Sequence, residues 1–385
     1  MNSDIIAKGD VLDNQEKIKL VDSQNQFQLI SSWPNLITEV MRNANQLDLP
    51  KKIKAGSRTL DYQQIFSSIL FCGMGGSAIG GSYTKTILQG TLDVPLLINR
   101  KHTLPSFVGP STLVIICSYS GNTEETVQVF LEALKQGAPI VLISSGGMLM
   151  DFCEHLGLPV VRLEPGYQPR ASFPLLFPPI PVVLSRLLKS YDFETDFREA
   201  INVLRDMKEQ IGPNREWSDN KAKQIAGSIA GTVPMVCSSI GCLAYRMRCQ
   251  LNENSKLPAV DLEFPELGHN HIVGLESHPR NLSQFSLVHL ALNSEKQAIL
   301  IRMEYLKELA SKVGISVHNF EAQGRTLLAQ MLSLTYFGDY VSLYVAVLRG
   351  VDPSPVATIA RMKERIDKEC PWKDEAERRF RSIIR

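Results

Sequence analysis

Two short polar stretches hold the residues from which an anion site can be made. The first, "GMGGSAIGG" (residues 73–81), follows the apolar run "IFSSIL" with only two intervening residues. Glycines at the end of a strand let backbone N–H groups approach a phosphate, and the N-terminus of a following helix adds partial positive charge. Gly75, Gly76 and Ser77 are the expected contacts. There is no Lys-Ser/Thr pair, which excludes a nucleotide-binding P-loop. The acidic residue about twenty positions on falls in "LDVPL", before a strand, which argues against a dinucleotide fold. Taken alone, the glycines serve tight strand–helix packing equally well. The second stretch, "SYSGNTEET", offers the hydroxyls of Ser118, Ser120 and Thr123, with Gly121 to make the turn and Asn122 or Thr123 to cap a helix. Glu124 and Glu125 fall in the first helical turn, where acidic side chains complement the helix dipole. Two such loops side by side form a pocket for a dianion without requiring a metal.

These loops need a scaffold that brings strand ends together, and the chain supplies one. Beyond residue 59, apolar runs alternate with helical periodicity. "SSILFCG", "DVPLLINR", "STLVIICSYS", "APIVLISSGG" and "PVVRLEPG" read as strands, with helices between several of them, including "EETVQVFLEALKQG". Continuous apolar strands between helices imply a parallel sheet covered on both faces. A proline-rich segment at 169–181 interrupts the rhythm and the helix "PVVLSRLLKSYD" follows. A second alternation starts near residue 200, with strands "TVPMVCSS", "FSLVHLAL" and "ISVHNFEAQG" and a long helix "TLLAQMLSLTYFGDYVSLYVAVLRG". The stretch between "GCLAYRMRCQLNENS" and "FSLVHLAL" reads as irregular. The expected organisation is α/β: an accessory helical segment at 1–58, a first domain at 59–199 and a second at 200–385. "SPVATIARMKERI" reads as a final helix, with Ser354 as N-cap and Pro355 at its first position.

The chain has 385 residues, long enough for two cores. Its 41 basic and 40 acidic residues leave a net charge of +1, which disfavours a broad nucleic-acid or anionic-membrane footprint. Seven cysteines without a C-x-x-C pair point to reduced thiols and a cytoplasmic location. "MNSDIIAKGDVLDNQEKIKL" lacks the apolar core of a secretory signal, and "FPLLFPPIPVVLSRLL" carries four prolines, which excludes a membrane span there.

Strand–"SYSGNTEET"–helix resembles the phosphosugar-binding signature of sugar isomerase (SIS) domains, which are flavodoxin-like. With "GMGGSAIGG", "YQPRASF" and "LNENSK…PELGHNH", the chain resembles the bifunctional phosphoglucose/phosphomannose isomerases, built from two SIS subdomains, over roughly residues 60–365. The resemblance implies that Ser77, Ser118, Ser120 and Thr123 hold the phosphate of a hexose 6-phosphate. It implies a cis-enediolate mechanism with no cofactor and no metal, and a homodimer. Glu253 matches the catalytic base; helix periodicity independently places it at a helix C-terminus, where the dipole should raise its pKa while Lys256 opposes that. His269 matches the ring-opening histidine, which in relatives reaches across the subunit interface, and His271 stands where relatives often have an acid. The H-x-H pair is weak evidence for a metal. Arg170 matches an enediolate-stabilising arginine. Lys363 matches an active-site lysine and flanks an apolar stripe from which it could point inward. The second half has no equivalent of the serine loop, its strand ending in "ALNSEKQ", so one phosphate pocket per chain is expected, with catalytic groups from the second half. The competing class is a non-catalytic phosphosugar-binding SIS regulator, which needs the serine loop but neither Glu253 nor His269; a third reading is an enzyme for a pentose or amino-sugar phosphate.

Overall fold

The computed structural model describes residues 8–188, 191–276 and 282–385. The first seven residues, where the signal-sequence argument begins, and residues 189–190 near the end of the expected "PVVLSRLLKSYD" helix lie outside them. The chain forms two compact units, Asn35–Phe193 with Val356–Arg385, and Met1–Pro34 with Glu194–Pro355.

The first of these contains a five-stranded sheet. β1 (Lys52–Ala55) and β2 (Arg58–Asp61) form a separate antiparallel hairpin, turned at Gly56 with φ +59°. The main sheet comprises β3 (Ser68–Cys72), β4 (Leu96–Asn99), β5 (Thr112–Cys117), β6 (Ile140–Ser144) and β7 (Val160–Arg162). All pairings are parallel, in the order β4-β3-β5-β6-β7. Every residue of β3, β5 and β6 is buried, which explains their continuous apolar sequences: helices cover both faces. Counted from β3, the order is 2-1-3-4-5, the flavodoxin-like arrangement. In such sheets the chain leaves the first strand on one side and returns on the other. That opens a crevice beyond the carboxyl ends of the first and third strands, here β3 and β5. The two polar loops leave the sheet at these two ends.

The helix Glu124–Lys135 buries Val127, Phe130, Leu131 and Leu134 as its spacing predicts. The C-terminus departs from expectation. The helix expected from Ser354 runs over Ala357–Glu369 with Val356 at its N-cap, because the Ser354 backbone N–H instead donates to the Asp352 carboxylate in a turn. A further helix, Trp372–Ile384, packs on Glu124–Lys135, where Arg379 bonds Gln128 and Glu132, and its Phe380 stacks at 4.1 Å on Phe152 of the helix Gly147–Leu156.

The other unit has a four-stranded parallel sheet of β8 (Val233–Ser238), β9 (Val260–Glu263), β10 (Phe285–Ala291) and β11 (Ser316–Glu321), in the order β11-β10-β8-β9. This repeats the 2-1-3-4 part of the first pattern. β9 falls in the stretch expected to be irregular. It is a short edge strand whose residues are exposed or half-buried, so it lacks the apolar run that marks its neighbours. The core is the helix Leu327–Leu348. An 18-residue window of it has a mean hydropathy of 1.3, enough for a membrane span, yet 94% of that window is buried inside the protein, as in a core helix. Within this unit Arg246 and Asp339 form a buried ion pair at 2.5 Å. Lys223, fully buried, reaches Asp13 at 2.8 Å, and the Trp33 ring lies 5.4 Å from Tyr336, so part of the N-terminal segment packs on the core helix. All seven cysteines are free thiols.

Candidate functional site

At the end of β3 the chain turns directly into the helix Gly75–Leu88. The glycines do different jobs. Gly75 has φ +50°, a conformation that disfavours side chains. Gly76 lies against another backbone: a Cβ there would meet the Pro169 carbonyl oxygen at 2.8 Å and the Arg170 Cα at 3.3 Å. Gly80 and Gly81 give room to Ile180 and to the Phe71 ring, so for these two the packing explanation holds. No side chain caps the helix, whose N-cap is Met74.

The loop after β5 lies against this turn. The Tyr119 backbone N–H donates to Ser77 Oγ at 3.4 Å, so the two expected loops converge at the switch point of the sheet. Ser118 Oγ donates to Thr123 Oγ1 at 3.2 Å, and Asn122 N–H donates to Ser120 Oγ at 3.3 Å. Ser77 and Ser118 are buried, whereas Ser120 is exposed. Thr123 is the N-cap residue by position, but its side chain does not cap the helix. Asn122, the other expected cap, uses its Oδ1 to accept from Met148 N–H at 2.9 Å. The helix amides at the loop are therefore not capped by either side chain, an arrangement suited to an anion.

Sequence reasoning missed a third loop, Ser144–Gly147, which holds the second in shape. Gly121, at φ +64°, has room for no side chain: a Cβ would fall 1.7 Å from the Gly146 oxygen. Ser145 donates to the Tyr119 oxygen through its N–H at 3.0 Å and its Oγ at 2.5 Å. The strand ends at Ser144, inside the run "APIVLISSGG", and its terminal "SSGG" is the signal in the sequence for this loop.

Arg170 is buried, at 3% exposure. Its backbone crosses Gly76, which brings it beside the glycine turn. Lys363 contradicts the inward orientation: no residue of Ala357–Glu369 is buried, and Ile359, Met362 and Ile366 of its stripe are exposed too.

In the four-stranded unit, Glu253 is half-buried in the last turn of the helix Gly241–Ser255, as its periodicity predicts. Lys256, at φ +52°, donates its ammonium to the carbonyls of Glu253 at 2.9 Å and Asp352 at 2.7 Å, closing the helix C-terminus. His269 is exposed at the end of the short turn Glu266–His269. His271 is half-buried, lines an apolar cavity of about 310 Å³, and has its pKa lowered by burial. These surroundings favour His269 over His271 as the accessible acid–base group.

One group among the described residues can hold a cation: His102, Glu124 and Glu125 each place a ligand atom within 4.8 Å of the others. His102 Nδ1 and Glu124 Oε2 are 3.0 Å apart. His102 and Glu124 also line a cleft of about 520 Å³ with Glu132, Glu375 and Arg379, whose carboxylates make it a poor phosphate site.

The family description "Bacterial phospho-glucose isomerase C-terminal SIS domain" matches residues 218–366. A relative from Caldicellulosiruptor bescii, named bifunctional phosphoglucose/phosphomannose isomerase, is 36% identical over 301 residues, covering 77% of this chain and 89% of the relative. A relative from Sulfolobus acidocaldarius, named D-glucosamine-6-phosphate 4-epimerase, is 32% identical over 218 residues, 56% of this chain and 66% of that protein. Among solved structures, a glucose-6-phosphate isomerase like protein from Thermus thermophilus matches with a TM-score of 0.56 at 18% identity, covering 92% of this chain and 98% of that one.

Proposed function

We propose, from the premise that this chain belongs to the bifunctional phosphoglucose/phosphomannose isomerase family, that it interconverts glucose 6-phosphate and mannose 6-phosphate with fructose 6-phosphate. The observation that carries the reading is the contact between the two loops at the switch point, where the Tyr119 N–H meets Ser77 Oγ. Gly75, Gly76, Ser77, Ser118, Ser120 and Thr123 hold the phosphate there, using hydroxyls and helix amides.

Isomerisation then needs a proton moved between C1 and C2 of the open-chain sugar. Glu253 removes it from one carbon and returns it to the other through a cis-enediolate, for which general acid–base catalysis is worth about 10²–10⁴ in rate. Arg170 offsets the negative charge of the enediolate. His269 transfers the proton that opens the ring, and its exposure suits a role in a second subunit of a cytoplasmic homodimer. Lys363 is assigned to the site by the family resemblance alone, since it is exposed on a helix that buries no residue. No metal enters these steps.

The test is a coupled assay on both hexose 6-phosphates with chelator-treated protein. Turnover of both supports the reading. Turnover abolished by chelator would transfer the chemistry to a cation, with His102, Glu124 and Glu125 as its first candidate ligands. Glu253→Gln should lose turnover and keep sugar-phosphate affinity, whereas a non-catalytic sensor would show no turnover to lose. The epimerase relative favours one second reading, an amino-sugar phosphate substrate. Turnover of glucosamine 6-phosphate in preference to either hexose 6-phosphate would establish it.

A further inference from the structure

Tyr119 stands between the two phosphate-loop serines, yet its side chain faces away from their task. Its backbone serves the loops: the N–H donates to Ser77 Oγ, and the carbonyl accepts from Ser145. Its hydroxyl serves a different segment. It donates to the Glu164 carbonyl at 2.8 Å and accepts from the Tyr167 N–H at 2.9 Å, while the residue is 6% exposed. Burial raises the phenol's pKa, so it keeps the proton it donates. Glu164 and Tyr167 begin the strap that follows β7. Three residues on, the strap closes in a turn where Ser172 Oγ donates to the Pro169 carbonyl at 2.8 Å and the Ala171 and Ser172 amides bond Gln168. That turn crosses Gly76 and carries the buried Arg170.

The strap thus has two attachments to the site, the phenol at one end and the close approach to Gly76 at the other. We propose that Tyr119 is a positioning residue, whose hydroxyl fixes the Glu164–Arg170 strap so that the Arg170 guanidinium is registered against the phosphate loops. This rests on the isomerase reading, in which Arg170 stabilises the enediolate. Removing the hydroxyl leaves the backbone contacts of Tyr119, and hence the phosphate grip, in place. It releases the strap at its Glu164–Tyr167 end, three residues before Arg170. The consequence falls on the transition state more than on substrate binding.

The experiment measures kcat and KM for Tyr119→Phe, Arg170→Gln and the double variant, with folding checked by circular dichroism. Tyr167→Pro removes the other partner of the phenol and gives an independent variant should Tyr119→Phe fail to fold. Loss of one buried hydrogen bond in a positioning network corresponds to about a tenfold fall in kcat, with KM held within about twofold. In the Arg170→Gln background the Tyr119→Phe change should add nothing, since its effect passes through Arg170. A folded Tyr119→Phe with unchanged kcat, or losses that multiply in the double variant, overturns the inference. Full kcat in Arg170→Gln also overturns it while leaving the isomerase reading standing. A wild type that turns over neither hexose 6-phosphate is the result that removes that reading itself.

Discussion

In the five-stranded unit the loops leaving β3 and β5 present serine and threonine hydroxyls and helix amides that no side chain caps. In the four-stranded unit the loops leaving the equivalent strands, β8 and β10, present carboxylates. Glu295 accepts from Ser239 Oγ at 2.7 Å and from Leu292 N–H at 3.3 Å. Glu263 comes from the neighbouring edge strand, as the last residue of β9, and lies against Gly241 at the start of the helix after β8, where a Cβ would fall 2.2 Å from its Oε2. These two carboxylates stand beside the start of the helix after β8 and the loop after β10, where their charge complements a helix dipole and repels a phosphate. One strand order carries hydroxyls at one switch point and carboxylates beside the other. The difference lies in a few loop residues, because the fold sets where a site can be and the loops set what it takes.

The comparison extends to the cores. β3, β5 and β6 bury apolar side chains, while the four-stranded unit encloses the Arg246–Asp339 pair. Burial raises the Asp339 pKa from its ordinary 3.8 to about 6, with Arg246 pulling against that rise. The folded state therefore holds this proton more tightly than the unfolded one, so the group's contribution to stability falls as pH rises toward and through about 6. Arg246→Met removes the opposing charge and should produce the largest effect, a loss of about 3–5 kcal/mol in urea unfolding at neutral pH. The gap from wild type should narrow as pH falls toward 6, because Asp339 without Arg246 is raised further and takes up its proton first. A loss independent of pH would contradict the buried-carboxylate account.

Next in size is a pair of glycine substitutions. Gly121→Ala combines a left-handed backbone with a collision against the Gly146 carbonyl, which cannot move aside cheaply. A strain of about 1–2 kcal/mol expressed in binding weakens sugar-phosphate affinity roughly five- to thirtyfold. Gly241→Ala meets only the flexible end of Glu263 and should leave that affinity unchanged. Calorimetric titration of both variants gives the answer, and equal losses would erase the distinction between the crevices.

Much of this contrast was legible in the sequence, because buried parallel strands write themselves as unbroken apolar runs and each of the two loops follows one. The helix Gly241–Ser255 and the position of Glu253 near its end were equally readable from periodicity. What was not legible depends on contacts between distant segments. β9 is a short edge strand without an apolar run. Thr123 is at the N-cap, but its hydroxyl is taken up with Ser118. Gly76 answers to Pro169 and Arg170, more than ninety positions away, and nothing local signals it. The bonds of the Tyr119 hydroxyl are with residues 45 and 48 positions on, which leaves no local pattern in the sequence. Lys363 flanks an apolar stripe in the sequence, but the helix that carries it buries no residue.

Smaller effects sharpen the comparison further. Ser120→Ala removes a hydroxyl available to a charged ligand and should weaken sugar-phosphate binding by about 1.5–3 kcal/mol at most, whereas Ser239→Ala, whose hydroxyl serves Glu295, should leave it unaltered. Smallest of all, Glu263→Gln with Glu295→Gln should open the second crevice to a weak second phosphate, with a Kd of about 1 mM. Phosphorus NMR titration with inorganic phosphate reads that change, and a double variant that still binds a single equivalent would show that charge is not what closes the crevice.

The most direct test is the number of sugar phosphates bound per chain, measured calorimetrically on Glu253→Gln protein so that the ligand is not turned over. We expect one equivalent of glucose 6-phosphate, with its affinity sharply reduced when Ser77 and Ser120 are both replaced by alanine. Two equivalents, or one whose affinity survives that double replacement, would contradict the assignment of the phosphate to the β3–β5 switch point.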